Sequence, residues 1–228
     1  MNTTLIIAVV SGLTGMLGWG FSEFATNKSV DKIGTIPSLV WAHIFGTAML
    51  FLLLISRLIL SKSTAFFPKN SGEWLGLIFF GTLQTIVYYF AYKAFEKGEV
   101  AILSPIFASF AGIVALLSVL LFGESLSPIL IFALALIFSG TILINLDIKN
   151  LKTRQIRFRA VVGLKEIIIA TILASVWTLG WNNITRDKDW MVYTTFMFLF
   201  MTLSAMFIAK QTKTKLSITK TGVWRFLW

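Results

Sequence analysis

The sequence predicts an all-α integral membrane protein, a bundle of about seven transmembrane helices. Three observations predict it. Hydrophobic residues make up 57% of the 228, and the mean hydropathy is +0.83, more apolar surface than a soluble domain of this length can bury. These residues gather into seven runs, each close to the roughly 20 residues that cross a bilayer at about 1.5 Å rise per residue. The segments between the runs are short and hold the charges and turn residues. Inside a bilayer no water is available to free N–H and C=O groups, so the runs must be helices that satisfy their own backbone.

The first run, 4–26, lacks the basic leader of a secretory signal and stays apolar past Trp19, so it reads as a retained span. The second, 37–60, carries His43 and Thr47 on one face, and the third, 73–95, carries Gln84, Tyr88 and Tyr92 on one face. Run four, 100–122, repeats Ala101, Ser104, Ala108, Ala111, Ala115 and Ser118 at steps of three or four, a stripe that lets helix backbones approach closely. Pro105 removes one backbone bond near its start, a kink that a transporter can use and a plain bundle can tolerate. Gly123-Glu124 makes the turn to run five, 127–146. Glu124 stands ahead of Ser127-Pro128, where a helix N-terminus accepts its charge, which gives both residues a structural role. Run six, 164–184, bears Thr171, Ser175, Thr178 and Asn182 on one face, beside Trp177 and Trp181. In lipid such groups turn inward, either to hydrogen-bond between helices or to line a cavity. Run seven is 190–209. The predicted turns are 28–37, 61–72, 96–99, 123–128, 147–163 and 185–189.

The chain also echoes itself. Gly72-Glu73-Trp74 returns as Gly222-Val223-Trp224, and Trp19 and Trp177 sit at matching depths in runs one and six, each followed by a basic turn at Lys28 or Arg186. The implied unit has five spans. Five is odd, so the two halves would enter the membrane in opposite orientation, as in transporters built from inverted repeats.

Residues 88–145 carry the Ala91-Tyr92-Lys93-Ala94 helix end, Gly98, Pro105, the Gly123-Glu124 turn, Leu126-Ser127 and Gly140. This stretch closely resembles the second part of an EamA domain of the drug/metabolite transporter superfamily. Gly18-Trp19-Gly20 with the turn at 28–34 resembles the start of the same domain. The resemblance implies a first EamA domain over 1–147, a basic inter-repeat loop over 148–163, and over 164–228 an incomplete second domain of two helices and the start of a third. Relatives typically have ten helices, so helices eight to ten are expected to be missing. It further implies a secondary transporter, not an enzyme, that moves a small organic metabolite or drug by alternating access, with proton coupling one option and no cofactor.

Glu23 is the sharpest single residue, because it lies within span one, one turn after Trp19. A carboxyl near hydrocarbon must find water, a partner or a proton. The functional alternative is a proton or cation site coupled to substrate; the other places Glu23 in the headgroup layer, paired with Lys28 or Lys32. His43, Gln84, Tyr88, Trp177 and Asn182 are the further candidates to converge with Trp19 and Glu23 on a central cavity. The plainer reading of a lone histidine is a hydrogen-bonded packing residue, and of such tyrosines an interfacial anchor.

The chain has no cysteine and one histidine, no metal-ligand spacing, and no nucleophile triad or nucleotide loop. A lipid-modifying enzyme therefore has least support, and the stronger rival is a non-transporting scaffold or inactive fragment, one form of which pairs with a second copy as a homodimer. The net charge of +10 flanks the spans, so the expected partners besides a small-molecule substrate are membrane lipids and not nucleic acid. Basic residues crowd 147–163 and 210–215, with Arg57, Lys62, Lys69, Arg186 and Lys188 on the opposite face. In a cytoplasmic membrane the positive-inside rule then puts the N-terminus outside, whereas ten-helix relatives usually start inside.

Overall fold

A computed structural model of the chain describes residues 3–61, 66–123, 125–144 and 161–217. Among these residues the fold is entirely helical. The segments are α1 (Thr3–Ile33), α2 (Thr35–Ser61), α3 (Ser71–Lys97), α4 (Val100–Ala108), α5 (Phe110–Phe122), α6 (Pro128–Ile144), α7 (Leu164–Thr185) and α8 (Trp190–Gln211). α4 and α5 are two halves of one span, 100–122, broken at Ser109. That span, α2, α3, α7 and α8 are each long and apolar enough to cross a membrane, and α6 is a shorter apolar helix. The Gly222-Val223-Trp224 echo, Glu124 and almost all of 148–163 lie outside the described residues.

The first turn differs from expectation. Residues 28–37 are predicted to form a loop, yet α1 continues to Ile33 and the turn contracts to Gly34, whose φ of +84° favours a residue without a Cβ. Polar residues around this end of α1 find partners in the protein: Asn27 Nδ2 donates to the Phe95 carbonyl at 3.3 Å, and the Ser29 and Ser38 hydroxyls pair at 2.8 Å. Pro37 falls in the first turn of α2, where no N–H is needed.

α3 is the central helix and packs against α1, α2, α4, α7 and α8, while α6 packs against α4 and α5 at the edge. One buried cluster joins α3, α4 and α7 through Ala91, Phe95, Leu103, Phe107 and Ile167. Another joins α2, α3, α7 and α8 through Leu54, Leu77, Phe80, Trp181 and Met201. The broken span is cradled by hydroxyls. Thr171 Oγ1 reaches the Ile106 carbonyl at 3.4 Å, Ser175 Oγ the Phe110 carbonyl at 3.4 Å, and Thr141 Oγ1 the Pro105 carbonyl at 3.5 Å. Thr171 and Ser175 of the span-six stripe thus bond between helices, whereas Thr178 Oγ1 donates within α7 to the Ala174 carbonyl at 2.8 Å.

α2 and α8 run antiparallel along one another. Arg57 near the end of α2 grips Asp189 just before α8, with both guanidinium contacts at 2.7–2.8 Å. At the opposite end, Trp41 Nε1 donates to the Leu216 carbonyl beyond α8 at 3.0 Å.

Candidate functional site

A cavity of about 250 Å³ lies between α1, α3 and the first half of the broken span. α1 presents Gly15, Trp19, Ser22, Glu23 and Thr26, spaced so that they share a face; α3 presents Tyr88, Ala91, Tyr92 and Phe95, and α4 presents Phe107. Glu23 stands ten residues before the end of α1 at Ile33, about 15 Å along the axis. Lys28, Asp31 and Lys32 lie between Glu23 and that end, so the carboxyl sits about one and a half turns inside the charged end of the helix.

The Glu23 carboxyl is hydrogen-bonded by uncharged groups in place of the expected Lys28 or Lys32. Its Oε1 accepts from Trp19 Nε1 at 2.8 Å, and its Oε2 accepts from the Ser104 hydroxyl of α4. The Trp19 ring packs against Phe107 and Phe110, with centroids 6.3 and 5.8 Å away. Thr26 Oγ1 donates to Tyr92 Oη at 3.3 Å, and the Tyr92 ring meets that of Tyr88 at 6.0 Å. The site is therefore one half-buried carboxyl, three hydroxyl-bearing side chains of α1 and α4, and aromatic walls.

The remaining candidates fall elsewhere. His43 is buried behind Tyr88, its ring edge-on at 5.7 Å, and its Nδ1 donates to the Leu39 carbonyl at 2.6 Å. Gln84 sits one turn from Tyr88 on α3, and its Oε1 is buried with no hydrogen-bond partner. Trp177 is a core residue: its indole donates to the Phe80 carbonyl at 3.0 Å and stacks on Trp181 at 5.6 Å. Asn182 is exposed on the outer side of α7, away from the cavity. The structure therefore brings Trp19, Glu23 and Tyr88 together, sets His43 and Gln84 next to Tyr88, and leaves Trp177 and Asn182 out. Pro105 lies inside α4, four residues ahead of the break, and Gly123 ends α5 at φ +66°.

Sequence reasoning missed Ser104 as the partner of Glu23, since it stood there only as one small residue in a stripe. It also missed a charged cluster at the far end of the bundle. There Glu73 accepts from Lys188 Nζ, Tyr193 Oη and the Lys69 backbone, each at 2.7 Å, beside the Arg57–Asp189 pair. Two signals were present: Asn70-x-x-Glu73 is a capping pattern, with Asn70 Oδ1 accepting from the Glu73 N–H at 2.9 Å, and Arg57 is a lone charge inside an apolar run. The Arg57 guanidinium holds the Asp189 carboxyl below the usual carboxylate range.

The EamA-like transporter family matches residues 6–146, more than half of the chain. The chain belongs to the EamA-like transporter family. The match includes every residue lining the cavity and both parts of the broken span. No curated protein and no solved structure matches the chain.

Proposed function

We propose that this EamA-family membrane protein is a secondary carrier of a small organic solute, and that the cavity between α1, α3 and α4 is its binding site. The observation that carries the proposal is the half-buried Glu23, held by Trp19 and Ser104 and facing Tyr88 and Tyr92. A carboxyl inside an apolar bundle is costly unless it serves a ligand or a proton, and aromatic walls with few polar groups suit an organic solute. Alternation would follow from movement of α7 and α8 against α1 to α5. At one end that movement must break Arg57–Asp189 and Lys188–Glu73, and at the other Lys97–Glu166, which meet at 2.5 Å. Glu23 serves as the coupling group by exchanging a proton for the solute. Proteoliposomes carrying a pH gradient test this: solute flux should follow the gradient, and Glu23→Gln should uncouple the two. Flux indifferent to both the gradient and that substitution removes the coupling role.

A second reading is favoured by the exposure of α1. Trp19 is 43% exposed, and a Cβ added at Gly12, Gly15 or Gly18 would touch nothing within 4 Å, so one side of the cavity is bare in the single chain. A second copy of the chain would cover it, and mass determination in detergent distinguishes a dimer from a monomer.

A further inference from the structure

The end of the bundle where α2 finishes and α3 and α8 begin holds a pocket of about 650 Å³ that shares no lining residue with the Glu23 cavity. Three cations line it, Arg57, Lys69 and Lys188, and so do three carboxylates, Glu73, Asp187 and Asp189. Four of these six are engaged with one another. Asp189 accepts from Arg57, from the Val192 N–H at 3.4 Å and from the Phe66 N–H, while Glu73 accepts from Lys188, Tyr193 and the Lys69 backbone. Their oxygens have little capacity left, whereas the Lys188 ammonium has N–H groups to spare. The Lys69 ammonium, just ahead of α3, and the Asp187 carboxylate, in the α7–α8 turn, are exposed and have no partner among the described residues.

A ligand in this pocket meets unlike charges in equal number. A net anion gains Lys69 but approaches three carboxylates, and a net cation faces the reverse, so the lining suits a group that carries both signs. A phosphate beside a primary ammonium is such a group: the phosphate accepts from Lys69 and Lys188, and the ammonium donates to Asp187. The rim indicates where it comes from. Phe66, Phe67 and Trp190 are 60%, 48% and 64% exposed at the level of the helix ends, where aromatic side chains sit among lipid headgroups. From this rim a ladder of rings descends along α8: Phe67 meets Phe196 at 6.1 Å, Phe196 meets Trp74 at 5.0 Å, and Trp74 meets Phe200 at 6.4 Å. Phe200 is about 15 Å along the helix from Trp190, a course that an acyl chain can follow. We propose that the pocket binds the head of a phosphoethanolamine phospholipid, with its phosphate on Lys69 and Lys188, its ammonium on Asp187 and its acyl chains along the aromatic ladder. Such a lipid ties the segment ahead of α3 to the α7–α8 turn, beside two of the ion pairs that alternation has to break. The assignment does not depend on the Glu23 cavity being the solute site.

The test is native mass spectrometry of the delipidated full chain in detergent, titrated with dioleoyl phosphatidylethanolamine, phosphatidylcholine and phosphatidylglycerol. The quaternary ammonium of choline has no N–H to give Asp187, and the glycerol head has no cation. Phosphatidylethanolamine should therefore bind about fivefold more tightly than either, the upper worth of one exposed charge pair. Asp187 has a φ of +62°, which asparagine and glycine tolerate, so Asp187→Asn and Asp187→Gly keep the turn and should both erase that preference. Lys69→Gln leaves the backbone bond to Glu73 in place and should weaken all three lipids about threefold to fivefold. Equal affinity for the three lipids, tightest binding of phosphatidylglycerol, or an ethanolamine preference that survives both Asp187 variants overturns the proposal. Glycerophosphoethanolamine, the same head without acyl chains, separates a lipid from a soluble zwitterion. It should compete weakly, and competition as strong as that of the whole lipid overturns the lipid assignment.

Discussion

Gly81 lies where α3 and α8 come closest, and replacing it by alanine measures how tightly the two halves are joined. A Cβ there would stand 2.8 Å from Phe200 Cβ, 2.9 Å from the Met197 carbonyl oxygen and 3.3 Å from the Met201 nitrogen. Two of these are backbone atoms of α8 and cannot rotate away. Ordinary carbon contacts are about 3.5–4.0 Å, so relief requires the helices to part by roughly 0.7–1.2 Å. That separation is resisted by Thr85 Oγ1, which donates to the Met201 carbonyl at 3.2 Å, and by the Thr82–Ser204 hydroxyl pair at 3.0 Å. Overpacking of this kind costs about 1–3 kcal/mol.

Gly76 provides the control, being on the same helix. Its added Cβ would meet only the tip of Ile184, at 3.0 Å, which a rotamer change moves aside. Both substitutions gain about 1 kcal/mol in helix propensity, so that gain cancels in the comparison. At roughly 2–4 °C per kcal/mol for a chain of this size, Gly81→Ala should melt roughly 2–12 °C below Gly76→Ala by circular dichroism in detergent. Equal melting temperatures would refute the close α3–α8 contact.

Three further outcomes follow from the same contacts. Asp189 has a depressed carboxyl pKa in the folded chain, so its contribution is complete above the unfolded value of about 3.9 and is lost as pH falls through the folded value. The difference in melting temperature between the native chain and Asp189→Asn should therefore hold steady from neutral pH to about 5 and shrink below about 4; a difference that grows on acidification contradicts the Arg57 pairing. Thr171→Val and Ser175→Ala should each lower stability by about 0.6 kcal/mol, the usual worth of an interhelical hydrogen bond in a membrane, measured by unfolding in mixed micelles. Gly163→Ala should cost more than either, because its φ of +84° and the Ala94 carbonyl oxygen, 2.8 Å from the added Cβ, act together.

Much of the fold was legible because lipid leaves few choices: run length, apolar content and turn residues place the helices within a few residues. The end of α1 was not. Residues 28–33 look like a turn by polarity, yet they stay helical, with Ser29 paired to Ser38 of α2 and Asn27 just before them bonded to the Phe95 carbonyl of α3. At the site, periodicity could say that Trp19 and Glu23 share a face, and that Tyr88 and Tyr92 do. It could not say how helices are rotated or staggered against each other, which is why Ser104 went unassigned and why Trp177, equally aromatic, was expected in the cavity when it packs against Phe80. Asn182 fails for the same reason, since a face shared with Thr171 and Ser175 at one end of α7 has rotated outward by the other.

The measurement that bears most directly on the carrier is counterflow. Proteoliposomes containing the chain are preloaded with an unlabelled solute and diluted into trace label, using a primary amine, a neutral aromatic and an amino acid in turn. At least one should accumulate transiently and saturably above protein-free liposomes, and Ser22→Phe, which places a ring in the Glu23 cavity, should abolish that accumulation. Absence of counterflow for all three, or counterflow that survives Ser22→Phe, would contradict a carrier working through this site.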